Sequence, residues 1–133
     1  MPRRTRERGG SLVEVTLVAS LFFALVFGVI TLGYLIFTYN SVNFMAQQGA
    51  RWASVRGNSS GSPATSATVK AYVLTQGTGF DTSAVTVTTT WTPDANAGST
   101  VKVVVSYNAT PLVKTFLPAT LNLAGVSSVA IAR

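Results

Sequence analysis

The feature that most limits how this chain can fold is an apolar run at residues 11–39. The run contains one charged residue, Glu14, and no Lys, Arg, Asp or Glu follows it until Arg51. A run this long and this free of charge can cross a lipid bilayer as a helix. The sequence therefore predicts a single membrane-spanning helix close to the N-terminus.

A short basic leader precedes the run. Residues 1–9 contain four arginines and one glutamate, and the leader ends at the pair Gly9-Gly10. Positive charge beside an apolar helix is retained on the cytoplasmic side of a membrane, so we expect the N-terminus inside and the C-terminal part outside. A cleaved signal peptide and a twin-arginine signal both fit poorly, because the apolar segment is too long for a signal and lacks a suitable cleavage site.

The composition excludes several function classes. The chain has 133 residues and a net charge of +6, but its basic residues after the leader are scattered, so we expect no nucleic-acid partner. Cys and His are both absent, which excludes thiol chemistry, disulfides, most zinc sites and a Ser-His triad. Asp81 and Asp94 lie in turn-like contexts and are expected to cap turns. We predict no enzyme activity, no catalytic residues, no cofactor and no metal.

One long helix is predicted from Ser11 to about Arg56. Ser11 and Glu14 have the spacing of a capping box, with Ser11 as the N-cap. An alternative for Glu14 is functional, because a carboxylate at the edge of a membrane segment is costly and usually has a role. The sequence leaves both open.

Two stripes mark the faces of this helix. Small residues recur at every fourth position and would let another helix approach closely: Thr16, Ser20, Ala24 and Gly28. Beyond the membrane, a second stripe is predicted to carry a small β domain: Val42, Met45, Ala46, Gly49, Trp52 and Ala53. Polar residues should face the other side: Asn43, Gln47, Arg51 and Ser54.

The rest of the sequence, residues 57–133, predicts a small α+β domain. A Gly/Ser/Asn/Pro loop at 57–66 is followed by a short helix at 67–76, which Gly77 ends. Antiparallel strands are expected at 85–91, 101–107 and 121–132, with a possible bulge at Gly125, and residues 111–118 receive no assigned form. The predicted organisation is a leader at 1–9, a long helix at 10–56 whose membrane-spanning part covers about 15–39, and an exported domain at 57–133.

Residues 9–14, Gly-Gly-Ser-Leu-Val-Glu, together with the apolar run, resemble the prepilin processing region of type IV pilin-like proteins. The closer resemblance is to the TadE-like pilins and pseudopilins of tight-adherence (Flp) pili. Such proteins have a basic leader, a glycine before the cut and glutamate as the fifth mature residue. A cut between Gly9 and Gly10 places Glu14 fifth. Residues 48–53, Gln-Gly-Ala-Arg-Trp-Ala, are similar to a second stretch of the family just outside the membrane, and the Val-rich strand at 101–107 also looks like that family.

The resemblance implies a pathway and its partners. A prepilin peptidase would remove the leader while lipid of the cytoplasmic membrane holds the subunit, with its N-terminus inside and its C-terminal domain outside. An inner-membrane assembly platform and its ATPase would then extract the subunit into an extracellular filament of copies of itself or of other pilins. Glu14 would pair with the new α-amino group of Gly10 on a neighbour, fixing register, because a wrong stagger leaves both buried charges unpaired. The alternative is a monomeric, single-pass membrane-anchored binding module that does not polymerise.

Overall fold

The computed structural model describes residues 7–79, 81–110 and 120–132. Helix α1 is followed by the short helix α2 and by strands β1, β2 and β3, with 3-10 turns before α2 and before β1. Their bounds are α1 Glu7–Ser54, α2 Ser66–Thr75, β1 Val85–Thr92, β2 Thr100–Ala109 and β3 Leu121–Ala130. The predicted α+β class, with a long N-terminal helix, a short helix and three antiparallel strands, is confirmed.

Helix α1 is 48 residues long, or about 72 Å at 1.5 Å per residue. No proline lies between Pro2 and Pro63, so nothing in the sequence removes a backbone donor within the helix. The helix already includes Glu7, the first residue that the structure describes, so the prediction that Ser11 is its N-cap is wrong. Ser11 lies inside the helix, because the helix continues through Gly9 and Gly10 despite their low helix propensity.

The three strands form one antiparallel sheet in the order β1-β2-β3. Val85 of β1 lies opposite Tyr107 of β2, and Val101 of β2 lies opposite Val129 of β3. Alternate residues of the central strand point inward and are buried: Val101, Val103, Val105, Tyr107 and Ala109. This alternation is typical of a sheet with one face on a core and one in solvent.

The core lies between this sheet and the C-terminal half of α1. The predicted helix stripe is confirmed, since Val42, Met45, Ala46 and Ala53 are fully buried there, as is Ala50. Gly49 is also buried, and a side-chain carbon at this position would collide with a methyl group of Val73 in α2. The small residues thus let α2 and the sheet approach α1 closely. Residues 57–132 are called the head domain below.

Helix α2 is fixed at both of its ends. The Thr65 hydroxyl accepts a hydrogen bond from the Thr68 backbone N–H at 3.2 Å, and the Thr68 hydroxyl accepts one from the Thr65 N–H at 2.9 Å. These reciprocal bonds satisfy two otherwise unpaired donors at the helix N-terminus. The backbone N–H of Gly77 donates to the Leu74 carbonyl at 3.4 Å, and the helix ends at Thr75, one residue before the predicted end.

Two local predictions are wrong. Gly125 does not form a bulge, because its pairing with Val105 continues the β2–β3 register on both sides. It lies instead where β3 passes against the backbone of α1. Ser54 does not face solvent either: it is buried, and its carbonyl accepts a hydrogen bond from the Ala132 N–H at 2.9 Å. Residues 111–118, left without an assigned form, lie outside the described residues.

Candidate functional site

The N-terminal part of α1 makes no contact that buries it. Between Gly9 and Ile30, every side chain is exposed or half-exposed, and burial on α1 begins at Thr31. The helix Gly9–Ser54 includes a window with a mean hydropathy of 2.5, of which 6% is buried. A core helix of a soluble protein would be mostly covered, whereas this one is long and apolar enough to span a membrane. Residues 9–30 are called the free segment below.

Gly9 and Gly10 lie in the first turns of α1, where both are exposed. A side-chain carbon built at either position meets nothing within 4 Å among the described atoms. The peptide bond between them is therefore sterically open to another protein. Its helical conformation is weakly held, since each glycine costs about 1 kcal/mol of helix stability relative to alanine.

Glu14 is exposed on the free segment, one turn beyond Gly10. It borders a shallow groove whose other walls are apolar: Val15, Val18, Ala19 and Phe22. Within the described part of the chain, no basic group forms an ion pair with this carboxylate. An apolar surface with a single carboxylate suits an interaction with one cation at a defined depth, because an unpaired charge in such a setting is costly.

The predicted packing stripe remains open along its length. The hydroxyls of Thr16 and Ser20 donate within the helix, to the carbonyls of Leu12 and Leu17, both at 2.8 Å. These hydroxyls therefore need no water and tolerate an apolar environment. A side-chain carbon built at Gly28 meets nothing within 4 Å among the described atoms, and Ala24 is half-exposed. The stripe thus presents a narrow, low surface on which a second helix would fit.

Comparison with known protein families found a match for this part of the chain. Residues 9–51 match the model of a family described as TadE-like protein. This segment is TadE-like. The predicted resemblance is confirmed over a region that includes the glycine pair, Glu14, the packing stripe and the Gly-Ala-Arg stretch. No curated protein and no solved structure compared with the chain matches it significantly.

Just beyond the TadE-like segment, at the end of α1, the structure shows contacts that the sequence did not predict. Trp52 stacks on Tyr72 of α2, with ring centroids 5.2 Å apart, and the Arg56 guanidinium lies 4.1 Å above the Trp52 ring. Stacking and cation–π attraction each favour this arrangement. Helical spacing predicted that Trp52 lies on the core side, but it did not predict the stacking partner Tyr72, which is 20 residues further along the chain.

A second unpredicted contact joins α1 to the end of β2. Tyr107 is buried, and its phenol lies close enough to that of Tyr34 for the two to interact. Burial raises the pKa of Tyr107, and the Tyr34 phenol and the negative charge of Asp81 raise it further.

The two aspartates of the head domain stabilise turns, as predicted. Asp81 accepts a hydrogen bond from the Ser83 N–H at 2.9 Å, and Asp94 accepts one from the Asn96 N–H at 3.0 Å. The Ser83 hydroxyl near Asp81 and the Ser99 hydroxyl that donates to Asp94, followed by these backbone N–H groups, stabilise the ionised forms, so the pKa of each carboxyl lies below its usual value. Within residues 7–79, 81–110 and 120–132, no group of three His, Cys, Asp or Glu side chains could hold a metal.

Proposed function

We propose that this protein is a structural subunit, a pilin or minor pseudopilin, of a Tad-type pilus, cut between Gly9 and Gly10 by a prepilin peptidase. The observation that carries the proposal is the free segment, which is apolar and uncovered except for one carboxylate, within a TadE-like region. Such a surface needs lipid or other helices around it, because water disfavours an apolar area of this size. Lipid would provide that cover before assembly and neighbouring subunits afterwards.

The mature N-terminus supplies a cation for Glu14. A cut after Gly9 creates an α-amino group on Gly10, and Glu14 lies four residues further along the same helix, about 6 Å up its axis. An amino group of one subunit and a carboxylate of its neighbour then meet only at a defined axial stagger. The stripe of Thr16, Ser20, Ala24 and Gly28 would let the helices come close enough for that contact. The pair would fix the register of the filament.

Orientation and partners follow from the same features. The basic leader keeps the N-terminus in the cytoplasm, and the head domain then folds outside. The assembly platform and ATPase of the system would move the subunit from the membrane into an extracellular filament made of copies of itself or of other pilins. We propose no catalytic role for the chain.

The assembly role of Glu14 is tested by Glu14→Ala in the full chain, with Glu7→Gln as the matched control. Glu7→Gln removes a carboxylate from the leader, which the mature subunit lacks. Breaking a buried ion pair costs about 3–5 kcal/mol at each contact, so we expect no subunit of the Glu14→Ala variant in the sheared extracellular fraction. The variant should persist in the membrane with its head domain accessible from outside.

The control should assemble as the unaltered chain does. Normal filaments from Glu14→Ala would contradict the proposal and favour the monomeric membrane-anchored binding module, for which this carboxylate has no assembly role. Loss of the variant from the membrane fraction as well would place its defect in insertion, and would also contradict the assigned role.

A further inference from the structure

The first strand of the sheet is an edge strand without the features that usually protect one. All eight residues of β1 are β-branched or aromatic, and none is charged, Gly or Pro. Its pairing with β2 runs from Val85 to Thr92 without a bulge. Beyond the Val85 N–H, which donates to the Thr82 carbonyl, no strand lies beside its outer backbone groups among the described residues. Natural proteins usually block such an edge with lysine, proline or a bulge, because it can pair with another strand.

The opposite edge of the sheet is equally unprotected. Strand β3 has ten residues, with no Lys, Arg, Asp, Glu or Pro among them, and its pairs with β2 follow one another without a bulge. No strand lies on its other side in the part of the chain that the structure describes. The sheet therefore ends on both sides in uncharged strands of similar length, and no like charges on these strands would oppose their pairing.

The topology determines which edges of two copies can meet. Strands β1 and β3 are both antiparallel to β2, so they run in the same direction. When two copies lie side by side in one orientation, β3 of the first can therefore join β1 of the second as a parallel neighbour, with evenly spaced backbone hydrogen bonds. Each copy still has one free edge after this contact. The contact is therefore repeated from copy to copy and does not close.

A symmetric contact between two β1 edges is incompatible with a shared membrane orientation. Gly125 lies against the backbone at Val42 and Asn43, and the Ala132 N–H donates to the Ser54 carbonyl. Between these two contacts the extended chain covers about 24 Å and moves about 17 Å along the helix axis, so the strands run partly along α1. A two-fold axis that pairs β1 with β1 reverses the strands, and it would therefore turn α1 of one copy over. Subunits anchored in one membrane all have α1 in the same direction.

We propose that the head domains of adjacent copies pair edge to edge, with β3 of one copy beside β1 of the next, so that one sheet continues from copy to copy. The inference rests on the proposed assembly into a filament. The contact is about 27 Å long but only one strand wide, which is much less than the area of about 800 Å² per partner in a stable interface. It should therefore form only where packed free segments already hold the copies side by side.

Disulfide formation between copies tests this pairing, because the chain has no cysteine of its own. We would combine Thr88→Cys in β1 with Ala124→Cys, Val126→Cys or Ser128→Cys in β3, three exposed positions that cover neighbouring registers. Thr88, Val104 and Val126 lie in one row across the sheet. The two cysteines of one chain are therefore at least about 10 Å apart, which is too far for a disulfide. Every disulfide must then join two copies.

Two control variants place cysteines on the same outer face of the sheet. Thr88→Cys alone reports a symmetric contact between two β1 strands. Thr100→Cys combined with Val126→Cys moves the first cysteine to the central strand, which has a neighbour on both sides. Thr100 pairs with Ala130, four residues from Val126, so this control cannot form a disulfide within one chain either. All variants would be oxidised as sheared extracellular filaments and analysed on non-reducing gels.

At least one of the three double variants should give a ladder of disulfide-linked dimers, trimers and longer products, while both controls remain monomeric. Dimers from Thr88→Cys alone would overturn the inference, and so would products from the Thr100→Cys control, which would show contacts of sheet faces or of two β3 strands. Filaments in which none of the three double variants becomes linked would also overturn the pairing, while leaving the proposed assembly intact. Absence of the unaltered chain from the sheared fraction would instead overturn the assembly, and the pairing with it.

Discussion

The contact between Gly125 and α1 allows a quantitative test of the packing. A side-chain carbon at this position would lie 2.7 Å from the Val42 carbonyl oxygen and 2.8 Å from Cα of Asn43. Ordinary contacts begin near 3.4 Å, so Gly125→Ala must separate the sheet from the helix by about 0.7 Å, and a gap of this size removes a quarter to a half of the dispersion energy across it. Together with the usual cost of overpacking, this gives a loss of about 3 kcal/mol.

The assay is thermal unfolding of the full chain in detergent micelles, followed by the near-ultraviolet circular dichroism of Trp52 and Trp91, which pack against the core. For a domain of this size the loss should lower the melting temperature by about 12–24 °C. The matched control is Gly28→Ala, where the same added carbon meets nothing. Gly125 does not have a positive φ, so backbone strain does not contribute to the difference. Melting temperatures of the two variants within about 3 °C of each other would refute the close approach of β3 to α1.

Three further predictions concern the head domain. Val103→Ala should cost about 2–3 kcal/mol by chemical denaturation, because it removes two fully buried methylene equivalents and leaves a cavity, whereas Val104→Ala on the outer face should cost less than about 1 kcal/mol; equal costs would contradict the assigned faces. Trp52→Ala should cost about 2 kcal/mol and Trp52→Phe clearly less, since phenylalanine keeps a ring for stacking; an equal loss in calorimetry would argue against the stack. The Ser99 hydroxyl and then the Asn96 backbone N–H hold the pKa of Asp94 below its usual value, so this carboxylate stabilises the folded state above the unfolded pKa, and the stabilisation is lost as the pH falls through the folded pKa. Asp94→Asn should therefore be less stable than the unaltered chain at pH 7 and equally stable near pH 2. A difference in stability that does not change with pH would contradict this.

Much of the head domain could be predicted from local patterns. Alternation of Val with Thr or Lys identified β1 and β2, and helical spacing of Val42, Met45 and Ala46 identified the side of α1 that carries the sheet. These predictions succeeded because burial on one face imposes the same period on sequence and structure. The errors occurred where tertiary contacts, which local sequence patterns do not show, determine whether a residue is buried. Ser54 is polar yet buried, because the end of the chain returns to bond its carbonyl, and Gly125 is small because α1 passes over it.

The candidate functional site was likewise predictable only where the local sequence pattern determines the structure. Gly9, Gly10, Glu14 and the packing stripe could be found in sequence because the free segment has no tertiary contacts within the described chain that would alter its local pattern. The place where the sheet meets α1 could not be found in this way. Only the structure shows that β3 passes over α1 at Val42 and Asn43.

The central claim, that this chain is processed as a pilin subunit, is tested most directly by the N-terminus of the protein. Mass spectrometry of the membrane fraction and of the sheared extracellular fraction would determine it in both places. The account predicts a mature chain that begins at Gly10 in the extracellular fraction, with Glu14 as its fifth residue. A chain that retains the leader, starting at Met1 or Pro2 in every fraction, would contradict it.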